Sequence, residues 1–321
     1  MINKTTENQK EEIQNGTIHI SVLLQEVIEG LAVKNGETFV DMTINGGGHS
    51  SVICSALGSS GVLVGIDADS NALVRAKKNL ERSGCQATVH LVAENFRNVK
   101  TILAGLGISK ADKILFDLGL SSNELENSNR GFSFQKDEPL LMTFSDDPSK
   151  VVFTADDIVN TWDEENIAAI ISGYGEERFA KRIARRIADI RKMKPIRTTK
   201  ELVDIIQNAV PNWYRSGRKI HFATRTFQAI RMAVNDEIRA LEQGLEDSWN
   251  MLSPGGRMAV ISFHSMEDRM AKKFLRNKSR EGEGTLLTKK PIIPRDEEIQ
   301  KNKRARSAKL RIIEKNTAKQ K

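Results

Sequence analysis

The chain is poor in the residues that build disulfide scaffolds, zinc sites and membrane spans. Its 321 residues include two cysteines, Cys54 and Cys85, in unrelated contexts and without a second pair. They make neither a disulfide framework nor a zinc-ligand set, which leaves the cytoplasm as the default compartment. No His, Cys and acid cluster has metal-ligand spacing, so no metal is expected. No apolar run approaches the ~18 residues that a membrane span needs. Met1 to Gly16 is polar and has no signal-peptide core, so residues 1–17 read as a disordered leader. Aromatics are few and aliphatic content is ordinary, which fits a soluble α/β protein. The dinucleotide-binding pattern G-x-G-x-x-G is missing too.

What is present begins with Phe39-Val-Asp41-Met-Thr-Ile-Asn-Gly46-Gly47-Gly48-His49-Ser50. A β-prone run ends in an acid, passes three glycines and opens into the apolar-periodic segment Val52 to Leu57. That order predicts a strand, a tight loop and a helix start. Glycines let the backbone approach a ligand, and the helix N-terminus offers unpaired N–H groups. About twenty residues on, Val62-Leu-Val-Gly-Ile66 ends in Asp67, where Rossmann-like folds hold a ribose. The plainer reading is a glycine-rich turn, with Asp67 capping the next helix.

Thr88 to Val92, with Glu94-Asn-Phe96 at its end, predicts a third strand. Lys113 to Phe116 predicts a fourth, ending in Asp117, and Ser70 to Leu80 reads as a helix capped by Ser70. Strands alternating with helices argue for a parallel sheet whose ligand sits beyond the carboxyl ends of the strands. Gly46 to His49, Asp67, Phe96 and Asp117 all fall at that edge. From about Pro139 to Phe222 the pattern is helical throughout, with a Thr198/Glu201 capping box. The α/β pattern resumes with a long helix from about Thr224 to Leu252. Pro254-Gly-Gly256 and a fifth strand, Arg257 to Ile261, follow.

Charge is unevenly spread. Arg269 to Lys321 carries 18 Lys/Arg against 6 Asp/Glu, so the rest of this +7 chain is net acidic. Within that acidic part, Arg178 to Lys200 holds ten basic residues and only Asp189 as an acid. Two basic stretches on an acidic body suggest a polyanion such as nucleic acid. A solubilising tail with a solvated helix face gives the same count.

Several ordered motifs then converge. They include Gly46-Gly-Gly-His-Ser50, Asp117-Leu-Gly-x-Ser-Ser122, Arg130-Gly-Phe-Ser-Phe134, Thr224-Arg-Thr-Phe-Gln-Ala229, Ser262-Phe-His-Ser265 and Arg304-Ala-Arg-Ser307. With His19-x-x-Val-Leu-Leu-x-Glu26 at the start, the chain resembles the RsmH (MraW) family from residue 19 to about 314. Members of that bacterial family make N4-methylcytidine in small-subunit (16S) ribosomal RNA. The resemblance implies a Rossmann-like S-adenosylmethionine-dependent methyltransferase domain, residues 18–138 and 223–321, and an inserted all-helical substrate-recognition domain, 139–222. It implies S-adenosylmethionine as cofactor, held by Gly47, Gly48, His49, Asp67, Phe96, Asp117 and Glu124. Glu124 stands where the family usually has glutamine. Glu138, Leu141 and Thr143 replace the family's glycine, aspartate and arginine.

Methyl transfer from a sulfonium is an in-line displacement, so the protein mainly positions the reactants. The cytosine N4 lone pair is delocalised, and an acceptor for the amino hydrogens helps that nitrogen pyramidalise. Two roles fit Asp117: catalytic acceptor and cofactor contact. Phe96 fits adenine stacking or a core plug. His49 fits a cofactor contact or a helix start, and His264 fits substrate contact or loop packing. Arg182, Arg185 and Arg186 of the insertion, with Arg225, Gln228, Arg231 and Asn235, are the expected contacts to the RNA or the assembled small subunit. The alternative for that set is an internal lattice with Glu176, Glu177 and Asp236. A nucleotide-dependent oxidoreductase and a non-catalytic RNA-binding or assembly factor are the competing functions.

Overall fold

The computed structural model describes residues 21–216 and 220–317. The 1–17 leader and the start of the His19 motif lie outside them. Seven strands form one sheet: β1 (Thr38–Asp41), β2 (Val62–Asp67), β3 (Thr88–Ala93), β4 (Ala111–Asp117), β5 (Leu252–Ser262), β6 (Gly284–Leu286) and β7 (Lys309–Lys315). Their order is β3-β2-β1-β4-β5-β7-β6. β1 to β5 pair in parallel and β7 runs against both of its neighbours. The central runs Phe39-Val40, Leu63-Val64, Ile114-Leu-Phe116 and Met258 to Ile261 are buried because helices cover both faces of the sheet.

Val40 pairs with Val64 on one side and Ile114 on the other, so β1 and β4 flank the point where the strand order reverses. The carboxyl ends Asp41, Asp67 and Asp117 consequently share one edge, beside the crevice where such sheets bind ligands. On one face pack α1 (Leu24–Leu31), α2 (Gly48–Leu57) and α3 (Ser70–Arg82), around Leu31, Phe39, Ile53 and Leu57. On the other lies α4 (Val99–Gly105). α5 (Ser122–Asn127) follows β4.

The insertion comprises α6 (Ala155–Thr161), α7 (Glu164–Gly173), α8 (Ala180–Arg191), α9 (Thr199–Ala209) and α10 (Asn212–Arg215). α6 and α9 begin in capping boxes, Thr154/Asp157 and the expected Thr198/Glu201. On α8 the apolar residues Ile183, Ala184, Ile187 and Ala188 are buried, while Lys181, Arg182, Arg185 and Arg186 face out. The helical core also takes in Phe132 from before the insertion, and Phe227, Ala229 and Ile230 from α11 (Thr224–Val234) after it. It therefore continues past residue 222. α12 (Glu237–Met251), α13 (Ser265–Arg280) and α14 (Asp296–Lys301) complete the helices.

Three expectations need correction. The long helix from Thr224 is two helices, because Asp236 adopts a left-handed conformation (φ 48°) that breaks the ladder. Asn and Asp tolerate that region, and here Asn235 uses its side chain on other backbone groups. The cap of α3 is Asp69, whose carboxylate accepts from Asn71 N–H, rather than Ser70. Cys54 and Cys85 are joined in a disulfide with Cα atoms 5.4 Å apart, because α2 and α3 pack side by side. Cysteine usage therefore no longer argues for a reducing compartment.

Candidate active site

A cavity opens at the carboxyl edge of the sheet, beside the β1/β4 switch point. Asp67, Phe96, Gly119 and Glu124 line it from the Rossmann-like side. Phe144, Asn235, Glu237 and Glu267 line it from the insertion and the helices that follow. Phe144 is held by Asn235, whose Oδ1 accepts from Phe144 N–H at 2.7 Å. Asn235 Nδ2 donates to the Met142 and Arg231 carbonyls at 2.8 Å each, so residues 142–144 form a strap over the cavity.

From the glycine loop it is Thr43 and Asn45, not Gly47 or Gly48, that line the cavity. The glycines serve its shape. Gly47 has φ 76° and its missing Cβ would press on Ala76, while a Cβ at Gly48 would strike the Ser21 hydroxyl. His49 sits just behind. Its Nε2 lies 3.0 Å from the Val22 carbonyl, and its Nδ1 is 3.5 Å from Asp117 Oδ2. The Asp117 N–H donates to Thr43 Oγ1, and Asp117 Oδ1 is buried without a hydrogen-bond partner among the described residues.

Asp67 accepts from the N–H groups of Asn45 and Asp69 at 2.8 and 3.0 Å, which ties the glycine loop to the start of α3. Phe96 meets Phe116 edge-on at 5.6 Å and lines the cavity. Glu124 is buried, and its Oε2 caps α5 by accepting from Ser121 N–H at 2.7 Å. Of the other departures, Glu138 accepts from Gly131 N–H, Thr143 offers its carbonyl to Arg130, and Leu141 is partly exposed. None of the three lines the cavity.

Buried carboxyl groups cluster here, and burial disfavours their charged forms. It pushes the Asp67 carboxyl up to about 7, and Glu124 adds to the rise. Glu124 is raised by burial as well. Asp117 is raised well above the usual carboxylate range by burial, then by Asp41 and Glu267. Glu124 thus acts on Asp67, not on Asp117. Glu267 differs: burial pushes it up, but His264 and Arg231 outweigh that and hold it below its ordinary value. A cavity walled by such acids suits a compact, positively charged ligand, and the sulfonium and ammonium of S-adenosylmethionine answer that description.

The expected RNA contacts separate into two groups. Arg182, Arg185 and Arg186 are exposed on α8. The guanidinium of Arg178 lies 5.3 Å from the ring centres of both Phe179 and Trp213, which extends that cationic surface. Arg225, Gln228, Arg231 and Asn235 instead point into the molecule. Arg225 donates to the Glu176 carbonyl, and Gln228 reaches Met232 Sδ. Arg231 grips both oxygens of Glu237 at 2.7 Å. His264 caps α13 in a box with Glu267. Sequence reading missed Glu237, Glu267 and Phe144. Only Glu267 left a local signal, its i,i+3 spacing from His264.

Fold, switch-point cavity and acid-lined wall together define a Rossmann-like methyltransferase. The chain belongs to the MraW methylase family, whose sequence profile matches residues 16–316. It is 44% identical over 312 residues to "Ribosomal RNA small subunit methyltransferase H" of Brevibacillus brevis, covering 92% of this chain and 98% of that one. Among solved structures, an rRNA methylase from Streptococcus thermophilus superposes with a TM-score of 0.42 at 11% identity, covering 92% of this chain and 93% of that one.

Proposed function

We propose that this protein methylates N4 of a cytidine in small-subunit ribosomal RNA, with S-adenosylmethionine as methyl donor. The observation that carries the reading is the acid-lined cavity at the β1/β4 switch point, with the strap at 142–144 over it. When bound, the cofactor supplies an electrophilic methyl group and a neutral thioether leaving group. Asp67 is the acceptor for the ribose hydroxyls. Phe96 would offer its ring to the adenine, and Gly47, Gly48 and His49 would shape the loop beside the cofactor. Glu124 contributes negative charge beside it. Asp117, paired with His49 at 3.5 Å, lies next to the lining residues Leu118 and Gly119.

The base has to leave its stack to reach this cavity, at a cost of a few kcal/mol. Arg182, Arg185 and Arg186 face solvent and supply phosphate contacts to offset that cost. Of the second group Asn235 lines the cavity, while Arg231 and His264 hold the wall residues Glu237 and Glu267 in place. The partner is the ribosomal RNA or the small subunit assembled on it, which puts the protein in the cytoplasm. No helix among the described residues is long and apolar enough to cross a membrane.

Glu124, Leu141 and Thr143 are the motive for the non-catalytic assembly factor; Leu141 and Thr143 lie off the cavity wall, while Glu124 is part of it. The deciding experiment is labelled methyl transfer to small subunits that lack the modification, followed by mapping of the product nucleoside. N4-methylcytidine at one position is expected. Tight NAD binding without methyl transfer would sink the reading.

A further inference from the structure

The cavity wall holds a carboxylate that the family motifs leave without a role. Glu267 is 4% exposed and lines the cavity from the first turn of α13. Its Oε2 is committed, accepting from the N–H groups of Phe263 and His264 at 2.8 and 3.2 Å. Its Oε1 lies 2.9 Å from His264 Nε2, but off the line of the N–H, so that nitrogen is left buried and without a hydrogen bond. His264 Nδ1 already accepts from Glu267 N–H, which leaves Nε2 as the donor in the neutral ring. An open acceptor and an unmade donor therefore stand side by side.

That pair matches an amino donor next to a ring-nitrogen acceptor, the edge that cytosine and adenine present and uracil reverses. We propose that Glu267 holds the amino group of the target cytosine and takes its proton, with His264 Nε2–H presented to the same base edge. This assignment rests on the proposed cytidine-N4 reading. The N4 lone pair forms the new N–C bond as the donor's S–C bond breaks, and that bond's electron pair stays on sulfur. The positive charge passes to N4, and the N4 proton passes to Glu267 Oε1.

Two rivals for the role can be weighed on geometry. Asp117 Oδ2 lies 3.5 Å from His49 Nδ1, and Asp117, unlike Glu267, is not among the residues lining the cavity. The second rival is a metal, since ligand atoms of Glu237, His264 and Glu267 lie within 4.8 Å of one another. Both Glu237 oxygens, however, are engaged by Arg231, which brings a guanidinium to the spot a cation would need. The titratable and charged groups around Glu267 are His264 on its own helix end, Arg231 on α11 and Asp117 on β4. Glu237 on α12 stands beside them.

Glu267→Gln tests the assignment, because the amide oxygen can keep the α13 cap. We expect kcat for methyl transfer to small subunits to fall roughly 100-fold or more, the usual scale for losing a proton acceptor. Affinity for the demethylated cofactor should stay within about twofold and helix content should be unchanged, as befits a group that acts on the base. His264→Asn keeps a good cap and should raise the KM for the subunit about tenfold, since it removes the donor. Wild-type kcat should hold down to about pH 6, because Glu267 stays ionised there. Transfer by Glu267→Gln at near wild-type rate, or wild-type kcat falling below about pH 7 with a single protonation, would overturn the assignment. A wild type inactive on every subunit preparation would overturn the function itself, so the two failures separate.

Discussion

Asp67 is the residue at which ligand and proton compete. Its carboxyl is pushed up to about 7 in the folded protein from an ordinary value of 3.8, because burial and Glu124 both disfavour the charge. The folded state thus binds more protons than the unfolded one between those values. Its stability without ligand should fall as pH rises from about 4 to 7 and then level off. A cationic cofactor favours the ionised acid, so binding near neutrality should release a proton. Calorimetry in buffers of different ionisation enthalpy would detect it; cofactor affinity that is flat between pH 6 and 8, within this range of titration, would contradict the account. Asp67→Ala should weaken cofactor binding by about 1–3 kcal/mol, the cost of losing charge-assisted hydrogen bonds. Glu124→Gln keeps the α5 cap but removes the charge that raises Asp67. It should keep methyl transfer, move the proton release to lower pH and reduce the preference for the sulfonium over the neutral thioether. Equal affinity ratios in wild type and variant would show that Glu124 does not sense the ligand's charge.

At the scale of elements, the break between α11 and α12 does the most to build the site. Asn235 makes three hydrogen bonds there, to Phe144 N–H and to the Met142 and Arg231 carbonyls. Asn235→Ala removes all three bonds and leaves the part-buried Phe144 N–H and Met142 carbonyl without theirs, while the Arg231 carbonyl keeps the Asn235 N–H. It should destabilise the fold by roughly 2–4 kcal/mol, at about 1 kcal/mol per bond. Urea unfolding measures it, and a loss under about 0.5 kcal/mol, as for an ordinary surface change, would mean the strap is held elsewhere. Local chemistry made much of the fold legible in advance. Apolar runs ending in Asp41, Asp67 and Asp117 marked the strand tips, and Thr198 with Glu201 marked a helix start. The break itself was not legible, because the apolar seam from Phe227 to Leu245 continues across it and only the tertiary partners of Asn235 favour a kink. The same limit hid the Cys54–Cys85 pairing and the inward turn of Arg231, which depend on how helices far apart in sequence meet. Glu267 is an intermediate case: its spacing from His264 was visible, while its place on the cavity wall was not.

Across the whole molecule, charge divides into two regimes that salt should separate. Buried acids around the cavity act over short range in a poorly screened interior, so cofactor affinity should change little with ionic strength. The exposed arginines of α8 act on phosphates and release counterions on binding. Ile183, Ala184, Ile187 and Ala188 anchor the other face of that helix, so Arg182, Arg185 and Arg186 project from a fixed platform. Exchanging all three for glutamate leaves the buried face untouched, and folding should survive. If each neutralises one phosphate, their loss should reduce the slope of log affinity against log salt by about 2–3. Binding to the small subunit should weaken most at low salt, while cofactor affinity stays at its wild-type value. Filter binding of the subunit at several salt concentrations, beside calorimetry with the cofactor, measures both. An unchanged salt slope in the triple variant would move the RNA contact off α8 and onto the basic segment after Arg269.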